Sequence, residues 1–184
     1  IQLESFQSFL IDLKVDGQEV TPFLNRLYRR SLSGQALIQV HHGTTSDAQF
    51  LLLNSLLPPS PGPLCFLYPQ RSYRGLPEIL AERGWTTLHT MGCTSSFWNT
   101  RIMSQRYGIQ ETYDFQPVQE AEKIGWGWSD EALLARTLTL LSRQKSRFFC
   151  HVTTTMMHYP FRELGLQSAS RHDDGRLSAP GPPP

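Results

Sequence analysis

Short apolar runs alternate with amphipathic stretches along this chain, and each pattern predicts its own kind of element. Apolar or β-branched runs predict strands over residues 1–5, 36–40, 85–91 and 147–155, and a short extended piece over 64–68. Apolar side chains at helical spacing predict helices over 22–30, 46–57, 76–83, 96–107 and 129–144. Residues 114–128 follow neither pattern and are predicted to be irregular.

Local signals mark where several of these elements begin and turn. Thr21-Pro22 combines a favoured cap with a proline suited to the first helical position, and Ser129 precedes two acidic residues that favour a helix start. Asp16-Gly17 is a turn signal, and Gly84 ends the third helix. Strands that alternate with helices predict an α/β fold, a three-layer α/β/α arrangement around a mostly parallel sheet.

Composition narrows the class of protein. The 184 residues carry a net charge of +1 and are 39% hydrophobic, which suits a globular domain and excludes a basic surface for nucleic acid. No apolar run reaches the roughly 20 residues that span a bilayer, and no signal peptide is visible. The three cysteines form no CxxC pair and are predicted to be small buried side chains. We expect a domain over 1–161 that was cut from a longer protein, and a disordered or frame-shifted tail over 162–184, rich in Pro and Ser.

Three polar groups stand where predicted strands end. Glu4 ends the first strand, Thr45 lies between the second strand and a helix, and His158 follows the last strand. In open α/β sheets, ligands bind at the carboxyl ends of the strands. Each residue alone has a commoner role, since threonine often caps a helix, and an acid or a histidine often lies in a surface loop. Together, and in this order, they predict a site.

The chemistry follows from the place of Thr45. A hydroxyl at a helix start meets unpaired N–H groups and the positive end of the helix dipole, which suit a phosphate or sulfate group. The hydroxyl is a weak nucleophile unless a divalent cation coordinates its oxygen and lowers its pKa. Glu4 is a hard oxygen ligand of the kind that Mg²⁺ or Mn²⁺ takes, and Gly43 is expected to permit a close approach of the loop.

Several motifs resemble the sulfatase family of the alkaline phosphatase superfamily, in its lipoteichoic acid synthase-like branch. They occur in the family's order and cover about residues 1–161. They are Leu-Glu-Ser-Phe-Gln at 3–7, Thr-Pro-Phe-Leu-Asn at 21–25, Gly-Thr-Thr-Ser-Asp at 43–47, Phe-Trp-Asn at 97–99, Tyr-Gly-Ile at 107–109 and His-Tyr-Pro-Phe at 158–161. The resemblance implies an alkaline phosphatase-like fold of which this chain is the N-terminal portion.

The resemblance also implies roles for five residues. Glu4 corresponds to a metal-binding glutamate, and Thr45 to the threonine that is both nucleophile and metal ligand. Trp98 and Arg101 correspond to residues that hold the glycerol-phosphate group, although Arg101 stands one position late. His158 corresponds to a histidine that contacts the transferred phosphate. The implied cofactor is one divalent cation, most often Mn²⁺ with Mg²⁺ as the alternative, and two of its four expected protein ligands are absent from this sequence.

Departures from the family pattern keep the substrate open. Met91 and Cys93 stand where these synthases tend to carry His and Asp, and Gln49 stands where an acid is common. No cysteine lies in the Cys/Ser-x-Pro-x-Arg motif of sulfate-cleaving relatives, which favours phosphoryl transfer by a threonine.

Three functions remain in view. The first is a metal-dependent phosphoglycerol-type transferase or phosphodiester or sulfate-ester hydrolase. The second is a non-catalytic remnant that lacks the downstream metal ligands, and the third is a sulfatase-like monoesterase. The resemblance implies an anionic phospholipid head group, or another phosphate or sulfate ester, as the partner. It also implies the extracytoplasmic face of a bacterial membrane, with the anchor in a segment outside this sequence.

Overall fold

The computed structural model describes residues 1–40, 43–60, 62–114, 123–124 and 127–159. The predicted tail over 162–184 and its boundary at 161 lie outside these residues, and so do His41 and His42 of the predicted loop. The helices are α1 (Pro22–Arg30), α2 (Thr45–Asn54), α3 (Leu64–Leu67), α4 (Leu76–Glu82), α5 (Thr100–Arg106) and α6 (Asp130–Ser142). The strands are β1 (Lys14–Val15), β2 (Gln18–Glu19), β3 (Thr86–Met91), β4 (Glu111–Tyr113), β5 (Lys123–Ile124), β6 (Gly127–Trp128) and β7 (Phe148–Thr153).

A parallel sheet in the order β4-β3-β7 organises the described chain. The central strand β3 pairs in parallel with both neighbours, so that Leu88 lies opposite Glu111 on one side and Cys150 on the other. Beyond β7, a single parallel bridge joins Gln2 to Thr153, so the predicted first strand is an extended segment at the sheet edge. Because the pairs are parallel, their carboxyl ends and the residues that follow them gather at one edge.

Helices cover both faces of the sheet, as predicted. Alternate side chains of a strand point to opposite faces, and in β7 Phe149 packs with one core cluster while Cys150 and Val152 pack with the other. The first cluster joins α2, α3, α5 and the turn after it through Phe50, Leu53, Leu64, Cys65, Met103, Tyr107 and Ile109. The second joins α6 and β6 through Leu133 and Trp128. The three-layer α/β class is therefore confirmed.

Three local predictions near helices and turns can be compared bond by bond. Asp16 and Gly17 have φ of 50° and 79° and close the β1-β2 hairpin, as the turn signal predicts. The Ser129 hydroxyl caps α6 by accepting from the amide of Ala132 at 3.2 Å. Thr21 precedes α1 but does not cap it, because its hydroxyl donates instead to the carbonyl oxygen of Leu10 at 2.8 Å.

The predicted strand over 36–40 is wrong. Leu37 and Ile38 are 81% and 87% exposed, and the structure assigns no strand there. A strand needs a partner for its backbone groups, and within the described residues this segment has no neighbouring strand to pair with. An apolar run is therefore insufficient by itself to predict a strand.

Two further predictions, one at α3 and one at the end of α2, are wrong. Residues 64–67 form a helix rather than an extended piece, because the carboxylate of Asp47 accepts from the Leu64 amide at 2.9 Å and caps its first turn. Helix α2 ends at Asn54, three residues before the predicted end, because Ser55 adopts the left-handed conformation with φ of 54°.

Two other segments differ from prediction. The predicted helix over 96–107 is a short 3₁₀ turn (Phe97–Asn99) followed by α5, because Trp98 and Asn99 have φ of 53° and 51°. The side-chain amide of Asn99 donates to the Cys65 carbonyl oxygen at 3.0 Å, which holds this break against α3. The segment predicted to be irregular, 114–128, contains the short β5-β6 hairpin, and the edge strand β4 was not predicted.

Candidate active site

Glu4 lies just beyond the carboxyl end of β7, where backbone bonds hold it. The amide of Gln2 donates to the carbonyl oxygen of Val152 at 2.7 Å, and the amide of Thr154 donates to the carbonyl oxygen of Gln2 at 3.1 Å. The amide of Glu4 then donates to the Thr154 hydroxyl at 3.2 Å. These bonds place the carboxylate at the edge of the sheet where α/β proteins bind ligands.

Thr45 is the first residue of α2, and its hydroxyl faces Glu4. Thr45 Oγ1 donates to Glu4 Oε1 at 2.8 Å, and both side chains are partly buried. Two residues 41 positions apart in sequence thus share one hydrogen bond. The structure brings together the two residues that the sequence analysis predicted as neighbours.

The start of α2 is well placed to receive an anion. Thr44 precedes the helix in an extended conformation, and its side chain does not cap the first turn. Among the described residues, no side chain therefore accepts from the backbone N–H groups of that first turn, which lie next to the Thr45 hydroxyl. Gly43 has φ of 59°, and a Cβ there would meet nothing within 4 Å, so the expected close approach is wrong. The glycine serves the left-handed turn into the helix instead.

Trp98 lies at the break before α5 and is half-buried. Its ring packs against Phe66 of α3 at 5.7 Å and against Phe97 at 5.5 Å between centroids. A non-glycine residue with φ of 53° carries backbone strain, and such strain clusters at functional sites. The aromatic contacts hold the indole in this conformation.

Arg101 occupies a separate hollow near the end of β4. Its guanidinium forms an ion pair with Asp114 Oδ2 at 3.0 Å, and its side chain is 51% exposed whereas that of Asp114 is 7% exposed. The same carboxylate accepts from the Ser95 amide at 2.9 Å and from the Ser95 hydroxyl. These residues line an open hollow of about 390 Å³. Within the described part of the chain, no hydrogen bond or ion pair links Arg101 to Glu4 or Thr45.

His158 lies shortly after the end of β7. Its amide donates to the Thr155 carbonyl oxygen at 3.1 Å, in the turn that follows β7. The side chain lines a hollow of about 480 Å³ together with Ser5, which is the residue after Glu4, and with Phe9 and Met157. Of the predicted substrate-binding residues, His158 thus shares a hollow with the neighbour of Glu4, whereas Arg101 lines a different one.

Comparison with known proteins assigns the family. The family model described as Sulfatase matches residues 1–176. The chain belongs to the sulfatase family. Lipoteichoic acid synthase 2 of Bacillus subtilis is 33% identical over 88% of this chain, and lipoteichoic acid synthase of Staphylococcus saprophyticus is 34% identical over 88%. The predicted resemblance to the lipoteichoic acid synthase-like branch is confirmed.

Solved structures agree with this assignment. The lipoteichoic acid synthase LtaP from Listeria monocytogenes superposes with a TM-score of 0.79 at 28% identity and covers 87% of this chain. The Streptococcus pyogenes phosphoglycerol transferase GacH shares the fold, with a TM-score of 0.62 at 20% identity over 78% of this chain. This sulfatase-family chain spans about a quarter of the length of the curated relatives, 26% for both synthases, and 40% of the LtaP chain.

The donors at the site fit a hard cation only in part. Enzymes of the sulfatase family use divalent metal ions. Glu4 and Thr45 provide a carboxylate and a hydroxyl oxygen 2.8 Å apart, a spacing that lets both reach one ion at about 2 Å each. Among the described residues, however, no group of three or more His, Cys, Asp or Glu side chains lies together as a metal site would.

Cys93 follows β3 and is close enough to Glu4 and Asp114 for both carboxylates to act on its thiol. Burial, together with the nearby carboxylates of Glu4 and Asp114, raises the pKa of its thiol to about 11. The thiol is therefore protonated at neutral pH and is a poor nucleophile. All three cysteines are free; Cys65 is buried as predicted, while Cys93 and Cys150 are only partly buried. Met91 is buried at the end of β3.

Sequence reasoning missed the residues that support Glu4 and Arg101. Gln2 donates to Glu4 Oε2 at 3.1 Å, and His151 in β7 contacts the amide oxygen of Gln2. Asp114 follows β4 and pairs with Arg101. One signal was available, because Gln2 stands two positions before Glu4 and a strand puts such residues on one face. No sequence signal marks Asp114, since β4 itself was not predicted.

Proposed function

We propose that this chain carries the nucleophile of a metal-dependent phosphoryl transferase and that Thr45 is that nucleophile. The substrate class is a phosphodiester, in the first place the phosphoglycerol head group of an anionic phospholipid. Similarity to a lipoteichoic acid synthase and to a phosphoglycerol transferase supports a phosphoglycerol-type group. The observation that carries the proposal is the bond of 2.8 Å from Thr45 Oγ1 to Glu4 Oε1 at an uncapped helix start.

The transfer step follows from the direction of that bond. The Thr45 hydroxyl donates its hydrogen to Glu4, so its lone pairs remain available for attack. As the Oγ1–P bond forms, Glu4 Oε1 can take the Thr45 proton, and the P–O bond to the lipid alcohol breaks, with the departing oxygen taking a proton from water to give diacylglycerol. The N–H groups in the first turn of α2 stabilise the charge on the phosphate oxygens. An acceptor hydroxyl or water then attacks the phosphothreonine and releases Thr45.

Glu4 and Thr45 are the described residues that would hold the cation, for which we propose Mn²⁺, with Mg²⁺ as the alternative. A bound divalent cation favours the deprotonated oxygen of Thr45 and offsets the charge of the phosphate. Hard oxygen donors suit both ions. Such an ion would lower the pKa of the Thr45 hydroxyl and so ease the transfer of its proton to Glu4.

The surrounding hollows suit the rest of the substrate. Trp98 forms an apolar wall against which a glycerol carbon chain can lie, and His158 is proposed to bind phosphate oxygens. Arg101 offers a half-exposed cation to a phosphate in the hollow next to Asp114. Met91 and Cys93 stand where related synthases tend to carry His and Asp, so we propose that a glycerol unit would have fewer hydrogen-bond partners here than in those relatives.

The cellular setting is part of the same proposal. We place the domain at the extracytoplasmic face of a bacterial membrane, where a lipid head group would reach Thr45. Among the described residues, no helix has both the length and the apolar character to cross a bilayer. The net charge of +1 provides no basic surface for nucleic acid, so a lipid or a small phosphate ester is the expected partner.

The decisive experiment measures turnover of a phospholipid by the chain. Phosphatidylglycerol in mixed micelles is incubated with the protein and either MnCl₂ or EDTA, and diacylglycerol release is followed. We expect release only with Mn²⁺. We expect Thr45→Ala to lower the rate of diacylglycerol release by at least about a thousandfold, because the covalent step has no other nucleophile. Thr44→Ala is the matched control, since it removes a neighbouring hydroxyl that does not bond to Glu4.

Retained turnover in Thr45→Ala would refute the nucleophile. A rate with p-nitrophenyl phosphate but none with phosphatidylglycerol would replace the transferase by the monoesterase. Both outcomes leave the family assignment intact, because that assignment rests on sequence and fold.

A second candidate is a domain that binds a phosphate ester without turning it over. It is favoured by the finding that Glu4 and Thr45 are not joined by a third described metal-binding side chain. Such a protein would show no diacylglycerol release, yet glycerol-1-phosphate would broaden or shift the amide resonance of Thr45. Loss of that shift in Thr45→Ala would support binding alone.

A further inference from the structure

The second oxygen of the Glu4 carboxylate has its own partner. Oε1 accepts from Thr45, whereas Oε2 accepts from the side-chain amide of Gln2 at 3.1 Å. The amide oxygen of Gln2 in turn lies 3.1 Å from Nε2 of His151. The carboxylate is therefore the middle of a chain of bonds that runs from a buried imidazole to the hydroxyl of Thr45.

The donor and the acceptor in each of these hydrogen bonds follow from the chemistry of the Gln2 side-chain amide. Only the nitrogen of Gln2 can donate to a carboxylate, so its oxygen must face the imidazole and accept. Nε2 of His151 then carries the hydrogen and donates to Gln2, which leaves Nδ1 unprotonated in the neutral ring. Each group in the series has one possible role, which favours a single arrangement of the Glu4 side chain.

His151, at the far end of this series of hydrogen bonds, is buried and held in place by its neighbours. His151 is 4% exposed and packs edge-on against His89 at 5.0 Å between ring centroids. His89 is held on both ring nitrogens, by the hydroxyls of Ser104 and Thr153, each at 3.0 Å. Burial lowers the pKa of His151 to about 4 and that of His89 to about 3, so both rings are neutral at pH 7. Neither imidazole therefore carries a positive charge that would compete with a cation for Glu4.

We propose that Gln2 is a positioning residue that holds the Glu4 carboxylate with Oε1 towards Thr45 and leaves its negative charge for the cation. Gln2 reaches neither substrate nor phosphate, and it acts through Glu4. The inference rests on the proposed function in so far as Glu4 is a cation ligand. Residues of this kind typically change metal affinity by roughly 10–100-fold when they are removed.

The test compares Gln2→Met with a matched control. Methionine keeps the length of the side chain and removes its hydrogen bonds, so the fold should persist. Gln49→Met is the control, because Gln49 also donates to a side chain of β7, the Thr153 hydroxyl at 3.2 Å, without touching Glu4. A second variant, His151→Phe, keeps a ring in place but cannot donate to Gln2.

Two measurements on the full chain are read together. The first is the order parameter of the Glu4 Cγ methylene from NMR relaxation without metal. The second is a titration with MnCl₂ alone, followed by broadening of the Thr45 amide signal. We expect Gln2→Met to lower the order parameter and to weaken Mn²⁺ binding about tenfold. His151→Phe should do so to a smaller extent, and Gln49→Met should resemble the wild type.

The two measurements separate this inference from the proposed function. If Mn²⁺ leaves the wild-type Thr45 signal unchanged while Gln2→Met still frees the Glu4 side chain, the cation site of the proposed function fails and the positioning role stands. An unchanged Glu4 order parameter in Gln2→Met overturns the positioning role. So does equal loss of Mn²⁺ affinity in Gln2→Met and Gln49→Met, because a general loosening of the sheet would then explain it.

Discussion

Two carboxylates follow parallel backbone segments of the same sheet, and their surroundings differ in charge. Asp114 follows β4, accepts from the amide and hydroxyl of Ser95, and pairs with the Arg101 guanidinium at 3.0 Å. Glu4 follows the segment bridged to β7 and accepts from Thr45 and Gln2. In the part of the chain that the structure describes, no Lys or Arg forms an ion pair with Glu4.

The difference separates a structural acid from an acid that is available to a ligand. A buried carboxylate is costly unless a cation and hydrogen bonds compensate it, and Asp114 at 7% exposure has both. The immediate partners of Glu4 are neutral, so its charge remains uncompensated beside the Thr45 hydroxyl. A cation from solution can complete the environment of Glu4, whereas the environment of Asp114 is already complete.

Acid should have the largest effect, and it acts on the support of Glu4. Burial lowers the pKa of His89 to about 3 and that of His151 to about 4, from an ordinary value of 6.5. Above pH 6.5, neither the folded nor the unfolded chain binds a proton at these imidazoles, so protonation takes nothing from the free energy of unfolding. As the pH falls from 6.5 towards 4, the unfolded chain gains protons that the folded chain cannot, so stability falls. The loss at pH 5 is at most about 2 kcal/mol per imidazole, or about 4 kcal/mol together.

Urea unfolding at pH 7 and pH 5 measures this loss, with the double variant His89→Gln and His151→Gln as the reference. The variant has no imidazole at either position, so its stability should change much less between the two pH values. An equally steep loss in the double variant would show that other groups cause the acid sensitivity.

Exchange of each carboxylate for alanine sharpens the contrast. Asp114→Ala should destabilise the fold by about 2–3 kcal/mol, because it leaves a buried Ser95 amide and hydroxyl without their acceptor. Glu4→Ala should cost less than about 1 kcal/mol and should abolish Mn²⁺ broadening at Thr45. Urea unfolding and the MnCl₂ titration on both variants provide the measurement. A larger loss of stability in Glu4→Ala than in Asp114→Ala would reverse the assignment of roles.

The same contrast shows what could be predicted from sequence. Glu4 and Thr45 were found because each lies next to an element with a strong local signal, a strand end for one and a helix start for the other. Asp114 and Gln2 were missed because their roles depend on partners 13 to 149 positions away. Helices α4 and α6 were predicted closely, since the apolar spacing agrees with Gly84 at the end of the first and with Ser129 at the start of the second, all within a single segment.

Tertiary contacts account for the failures in the fold. The apolar run at 36–40 has the composition of a strand but no described neighbour to pair with, while the shorter segment around Gln2 obtains one from β7. Helix α3 depends on the Asp47 carboxylate, which is 17 residues away from the amide that it caps. The break at Trp98 depends on packing against Phe66 and on the bond from Asn99 to Cys65. None of these partners is visible in a local pattern.

The smallest expected effect concerns the exposed partner of the structural acid. Arg101→Ala should lower stability by less than about 1 kcal/mol, since the guanidinium is 51% exposed and solvent screens its pair with Asp114. The two bonds from Ser95 would still satisfy the carboxylate, so the hollow should persist. Arg101→Lys, which keeps the charge, is the matched variant. A loss near that of Asp114→Ala would mean that the ion pair, rather than the bonds from Ser95, stabilises this acid, and the distinction from Glu4 would then rest on the arginine alone.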